Sequence, residues 1–267
     1  MMKLSFSTLG CPEWRWDEII ATAKDLGYEG IEIRGVRKEL YVPRIKQLMP
    51  ENIRDTKTQL KNAGLEIPVL TSACELHNAA CRDDTIFACK EYVDVAADIG
   101  KPYVRVLADK GAAPSEHVDV GLVRESAQLL GAYAASKGVT LLIESNGVFS
   151  DTEKLAKLID EIGSPGVAAL WDINHPVCFQ NEPAKVSYDN LKDIVKHVHI
   201  KDSIKQDGKV LYRIIGRGTL PVTECVELLQ QGGFDGYYSL EWLRRWDVTL
   251  EEPGISFAHY AQYMRGL

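Results

Sequence analysis

Eight short apolar runs, separated by stretches of helical period, predict a closed (β/α)8 barrel formed as one domain over residues 1–267. Length and alternation carry this expectation. A chain of 267 residues fits a barrel of this kind, which typically takes about 250 residues. Strand and helix signals alternate eight times, and that pattern implies parallel strands joined by crossover helices. The competing architecture, a doubly wound open sheet, finds no support, since no G-x-G-x-x-G or P-loop opens a helix.

The strand candidates are Lys3–Ser7, Gly30–Arg34, Glu66–Ser72, Tyr103–Leu107, Thr140–Ser145, Val167–Ile173, His197–Lys201 and Tyr237–Glu241. After the first, Ile19, Ile20, Ala23 and Leu26 share one helical face. Ala88, Tyr92, Val95 and Ile99 do so after the third, Val123, Ala127, Leu130 and Ala134 after the fourth, and Leu155, Leu158, Ile159 and Ile162 after the fifth. Gly27, Gly64, Gly100, Gly138, Gly163 and Gly232 fall where these helices should stop in a left-handed residue. Val177–Ser187 and Ser203–Leu220 are the longest stretches without a clear period. In a barrel they become loops over the C-terminal face, where active sites lie.

Composition narrows the function. A hydrophobic share of 45% and a charged share of 26% are ordinary for a folded domain. The net charge of −7 argues against nucleic acid, whose binders usually carry a basic face. No apolar run reaches the roughly 18 residues of a membrane span. Met1–Cys11 reads as a strand broken by Ser5, Ser7, Thr8 and Gly10 rather than as a secretory signal, so the expected location is the cytoplasm. Six cysteines are scattered without a C-x-x-C pair, as expected for plain thiols in a reducing compartment.

The chemistry is positional. Four strand candidates end in a side chain able to bind a metal: Glu144 closes the fifth, Asp172 the sixth, His199 the seventh and Glu241 the eighth. A charge within an apolar run is costly unless paired or ligated. Four at one level would converge on the barrel mouth. Three carboxylates and an imidazole suit one divalent ion with positions left for substrate oxygens, Mn2+ ahead of Mg2+, with Co2+, Fe2+ or Zn2+ as alternatives. Pleating turns the residue two before each ligand inward as well, so Leu142, Leu170, His197 and Ser239 should form the next level down. His197 then reads as a hydrogen-bonded core histidine. Glu32, Arg34 and Arg105 are also polar residues within apolar runs, read either as a buried ion-pair network or as contacts to substrate.

These strand ends resemble the xylose-isomerase-like TIM-barrel sugar phosphate isomerase/epimerase superfamily. The motifs are Ile143-Glu144-Ser145-Asn146, Trp171-Asp172-Ile173-Asn174-His175, His197-Val198-His199-Ile200-Lys201-Asp202 and Ser239-Leu240-Glu241-Trp242. The Gly216-Arg217-Gly218 turn and the segment Gly30-Ile31-Glu32-Ile33-Arg34 complete an ordered set across the chain. The resemblance implies a divalent metal on the four ligands, usually Mn2+. It also implies acid/base roles for Glu144 and Glu241 and a substrate contact at His175. The Gly-x-Gly turn of the family often holds an acidic residue. Arg217 in its place, with Lys201 nearby on the same face, reads either as a contact to an anionic substrate or as a solvated loop.

The expected activity is therefore isomerisation or epimerisation of a small sugar, sugar phosphate or polyol ketone, by proton transfer through a metal-stabilised enediolate. A dehydratase acting on an inosose-type substrate could use the same residues. An endonuclease IV-like phosphodiesterase needs more histidines than the strand ends offer, and a binder without turnover would not need both glutamates. A homo-oligomer is left open.

Overall fold

The alternation read from the sequence becomes a ring of parallel strands in the computed structural model, which describes residues 2–100 and 102–267. The strands are β1 (Lys3–Ser7), β2 (Gly30–Glu32), β3 (Val69–Glu75), β4 (Tyr103–Leu107), β5 (Leu141–Glu144), β6 (Val167–Asp172), β7 (Val195–Ile200) and β10 (Tyr237–Leu240). They run in the order β2-β1-β10-β7-β6-β5-β4-β3. Parallel bridges Gly30↔Glu66 and Ile33↔Leu70 join the two ends of that order. The fold is thus a nearly closed (β/α)8 barrel. Its helices are α1 (Trp16–Asp25), α2 (Ile53–Ala63), α3 (Arg82–Ile99), α4 (Val120–Ser136), α5 (Thr152–Ile162), α6 (Ala184–Leu191), α7 (Val222–Gln231) and α8 (Pro253–Arg265). Among the described residues, no helix is long and apolar enough to cross a membrane. Met1, the first residue of the segment weighed as a signal, lies outside the described residues.

Local chemistry explains the elements. In α5, Asp151 accepts from the Lys154 amide at 3.2 Å and caps the helix start. Leu155, Leu158, Ile159 and Ile162 bury one face, and Gly163 ends the helix at φ 62°. Strand pleating then splits the core in two. In β5, Leu141 and Ile143 join the large cluster between strands and helices, whereas Leu142 joins Val69, Ala168 and Leu170 in a small cluster inside the barrel. Residues that share the parity of Leu142 therefore point inward, and Glu144 is the next of these.

The structure corrects several expectations. Ser203–Leu220 is not irregular at its start. It opens with an antiparallel hairpin, β8 (Asp202–Gln206) and β9 (Lys209–Arg213). The signal was present: Asp207 and Gly208 both take positive φ, 50° and 75°, as a two-residue type I′ turn requires. Val177–Ser187 holds a π-helical turn over Pro176–Gln180 and the start of α6. The strand expected over Glu66–Ser72 starts at Val69 because Pro68 has no N–H to give, leaving Glu66 as a lone bridge. At the end of α7, Gly233 rather than Gly232 carries the positive φ.

Candidate active site

The parity that buries Leu142 places Glu144, Asp172, His199 and Glu241 at the C-terminal mouth, on or just beyond β5, β6, β7 and β10. Asp172 pairs in register with His199, and His199 with Ser239, two residues before Glu241. All four are buried, and their ligand atoms lie within 4.8 Å of one another. Three carboxylate oxygens surround His199 Nδ1: Glu144 Oε1 at 3.6 Å, Asp172 Oδ2 at 3.7 Å and Glu241 Oε2 at 3.7 Å. These separations exceed hydrogen-bond length, and His199 Nδ1 is a buried nitrogen with no hydrogen-bond partner among the described residues.

Asp172 and Glu144 are each held through the oxygen turned away from His199. Asp172 Oδ1 accepts from the amides of Asn174 at 2.9 Å and His175 at 3.3 Å, which leaves Oδ2 toward the cluster. Glu144 Oε2 meets Arg105 Nε at 3.0 Å. Burial alone would push the Glu144 carboxyl up, but Arg105, His199 and Lys201 bring it down to about 2. Burial also acts against charge on Asp172, and His175, Lys201 and His199 outweigh it, holding its carboxyl well below the usual range. For His199, burial opposes protonation, but Glu32, Glu241, Asp172 and Glu144 raise its pKa well above the ordinary imidazole value.

The remaining candidates separate by position. Arg105 donates to Ser72 O at 2.8 Å and pairs with Glu144, so its guanidinium is engaged by protein on two sides. Lys201 does not stand free for a substrate anion. It is buried, with its ammonium 2.5 Å from Asp172 Oδ2 and in contact with Glu241 Oε2. Its carboxylate neighbours overcome burial and keep it charged. Glu32 is fully buried on the level of His197 and Ser239, with its carboxylate bonded to protein. His197, read as a core histidine, donates Nε2–H to Glu32 at 3.0 Å. His175 donates Nδ1–H to Ser145 O at 3.0 Å, and its Nε2 takes no part in that bond. Arg217 is exposed on its turn. Arg34 is half-buried and donates to Leu40 O at 3.3 Å. It lines a cavity of about 380 Å3 with Tyr41, Cys74, Thr85 and Tyr92.

One residue escaped the sequence reading. Asp202 accepts four backbone N–H groups, from Ser203, Gly216, Gly218 and Leu220, and so fixes the Gly-Arg-Gly turn beside the mouth. Its signal in the sequence is the Lys201-Asp202 pair that follows His199.

The residues fit a divalent cation. Glu32, Glu144, Asp172 and Glu241 place four carboxylates in one buried network, with Lys201 and Arg105 as the fixed cations in direct contact. With His199 neutral, as a ligating imidazole must be, two negative charges remain in excess, the charge a divalent ion cancels. Ligand atoms each about 2.1 Å from one ion stand about 3.0–3.4 Å apart, so the spacing around His199 Nδ1 needs only a small contraction. A second grouping, Glu32 with His197 and His199, is different in kind, because hydrogen bonds already use its facing atoms. A cavity of about 850 Å3 opens at the N-terminal end of the strands among Lys3, Lys57, Lys196 and Tyr237, away from both groupings.

Fold and site together define a (β/α)8-barrel protein with a buried carboxylate–histidine centre at its C-terminal mouth. The chain belongs to the xylose isomerase-like TIM barrel family, whose model matches residues 20–262. It is similar to fructoselysine 3-epimerase of Shigella flexneri, with 25% identity over 282 residues that cover 100% of this chain and 98% of that protein. Among solved structures, a probable 3-DHS dehydratase from Bacillus anthracis superposes with a TM-score of 0.79 at 18% identity, covering 99% of each chain. A xylose isomerase-like TIM barrel protein from Mycobacterium smegmatis in complex with magnesium gives a TM-score of 0.75 at 15% identity, covering 99% of this chain and 95% of that one. The two structures share the fold with this chain.

Proposed function

We propose that this protein is a divalent-metal-dependent isomerase or epimerase acting on a small sugar or polyol ketone. The observation that carries the reading is the convergence of Glu144 and Glu241. They come from strands three places apart in the ring, yet both lie within 3.7 Å of His199 Nδ1. Similarity over the whole chain to a sugar 3-epimerase supports the same class.

Glu144, Asp172, His199 and Glu241 would hold the ion. When bound, it supplies Lewis-acid polarisation of a ketone and balances the negative charge that develops on substrate oxygens. Mn2+ suits three carboxylates and one imidazole, and Mg2+ or Zn2+ is compatible with them. One of the two glutamates takes the proton from the carbon next to the carbonyl, and the other returns it. Arg105 keeps Glu144 ionised and therefore ready to accept. Return to the opposite face of the same carbon gives epimerisation, and return to the neighbouring carbon gives isomerisation. Lys201 sets Asp172 and Glu241 in place, and His175 offers Nε2 to a substrate hydroxyl.

The test is turnover of a panel of ketoses, inososes and hydroxypyruvate by Mn2+-loaded protein, with Glu144→Gln and Glu241→Gln alongside. Each variant keeps an oxygen for the ion but loses its base. Turnover should fall at least about 10²–10⁴-fold, the usual contribution of general acid–base catalysis. A Glu241→Gln protein that keeps its metal and full turnover would remove the paired-glutamate mechanism. Loss of water in place of stereochemical change would move the activity to a dehydratase on the same residues.

A further inference from the structure

Four side-chain donors engage the buried carboxylate of Glu32. Its Oε2 accepts from Ser239 Oγ at 2.9 Å, His197 Nε2 at 3.0 Å and His199 Nε2 at 3.0 Å. Its Oε1 accepts from Thr71 Oγ1 at 2.9 Å. These partners stand on β3, β7 and β10, so four strands fix the position of one side chain. The Thr71 bond crosses the seam between β2 and β3, where only isolated bridges join the backbone.

An ionised carboxylate can only accept hydrogen bonds. The nitrogen facing it on His199 must therefore be Nε2–H. A neutral His199 then has its lone pair on Nδ1, the atom that faces Glu144, Asp172 and Glu241 and has no hydrogen-bond partner among the described residues. His197 and Ser239 hold Glu32 from the other sides, and the two imidazole rings meet edge to face at 5.6 Å. Glu32 cannot turn toward the mouth without leaving four donors unpaired in the interior, each at a cost.

We propose that Glu32 is a positioning residue for the metal centre: by accepting the His199 Nε2 proton it fixes the tautomer and ring orientation that turn Nδ1 to the ion. This inference rests on the four-ligand reading given under Proposed function. It removes Glu32 from the substrate contacts and makes the barrel interior part of metal affinity. Hydrogen-bonded carboxylates behind a ligating histidine are generally worth about 10–100-fold in metal affinity.

The experiment uses 113Cd2+ as the probe, with ¹⁵N-labelled histidine in the full chain. In the wild type, His199 Nδ1 should couple to 113Cd, and Nε2 should carry a proton protected from solvent exchange. Glu32→Gln can keep an acceptor oxygen toward His199 while its amide faces the Thr71 hydroxyl. It should retain that tautomer and lose less than about tenfold in Cd2+ affinity. Glu32→Leu removes the acceptor and should lose about 10–100-fold. Thr71→Val, which removes only the Oε1 bond, should bind Cd2+ within about twofold of wild type.

Coupling of 113Cd to Nε2 would overturn the proposal while leaving the metal site standing. So would a folded Glu32→Leu protein with wild-type affinity, or a Thr71→Val loss as large as that of Glu32→Leu. Absence of any coupling to His199, with no Cd2+ bound, would sink the four-ligand reading and the proposal together. Circular dichroism of each variant reports folding separately, and where Glu32→Leu does not fold, coupling of 113Cd to Nε2 in the wild type or in Glu32→Gln still overturns the proposal.

Discussion

Removing the Asp202 carboxylate should loosen the rim of the site, and the structure sets the size of the effect. Oδ2 accepts from Gly216 N at 2.9 Å and Gly218 N at 2.8 Å, and Oδ1 from Ser203 N at 2.8 Å and Leu220 N at 3.2 Å. A hydrogen bond to a charged group is worth about 1.5–3 kcal/mol, so four counted independently reach about 6–12 kcal/mol. They are not independent, and water can reach the exposed Gly216, so roughly half survives as a net cost. Asp202→Ala is expected to destabilise by about 3–5 kcal/mol, which lowers Tm by about 6–20 °C in a domain of this size. Asp202→Asn, which keeps one acceptor oxygen, should lose about half as much. Gly218→Ala should resemble Asp202→Ala, because its Cβ would stand 2.0 Å from Asp202 Oδ1 and 2.6 Å from Ser203 N. Calorimetry and urea titration of the three variants measure this. An Asp202→Ala protein within about 0.5 kcal/mol of wild type, the range of an ordinary surface substitution, would refute the assignment of Asp202 as the anchor of this turn.

Two further outcomes concern ligands. Purified protein loaded with Mn2+ and desalted should retain close to one ion per chain by elemental analysis. His199→Ala and Asp172→Ala should each lose most of it, and a wild type that emerges metal-free would remove the site. If the substrate carries a phosphate or carboxylate, Arg34→Ala should raise KM for it far more than for a neutral analogue, whereas Arg217→Ala should change both alike. The reason is position: Arg34 is half-buried beside a cavity near the mouth, and Arg217 is exposed. Selective damage from Arg217→Ala would reverse the assignment.

Much of this was legible in the sequence because burial of charge is costly and strand parity is strict. Glu144, Asp172, His199 and Glu241 stood out as polar ends of apolar runs, and the same parity put Leu142, Leu170, His197 and Ser239 one level below. What sequence could not supply is which cation meets which anion. Arg105 and Glu144 are on neighbouring strands, and nothing along the chain announces their 3.0 Å contact. Lys201 shares the inward parity of His199, but only packing shows that its ammonium is taken up by Asp172 and Glu241. The β8–β9 hairpin announces itself only through its Asp207-Gly208 turn, because the strands on either side are too polar and too exposed to show a full apolar run. Asp202 and Glu32 serve contacts between segments distant in sequence, and those appear only when the chain is folded.

The central claim is that Glu144 and Glu241 move a carbon-bound proton in a metal-dependent site, and solvent exchange measures it most directly. For whichever ketone of the panel is turned over, Mn2+-loaded wild-type protein in D₂O should place deuterium on the carbon next to the carbonyl, as followed by NMR. Chelator-stripped protein should place none, and Mn2+ should restore the exchange. If one glutamate abstracts and the other returns the proton, one of the two Gln variants should still exchange deuterium into the substrate without forming product. Exchange that continues at the wild-type rate after the metal is stripped, or turnover that persists at the wild-type rate in a metal-retaining Glu241→Gln protein, would contradict the account.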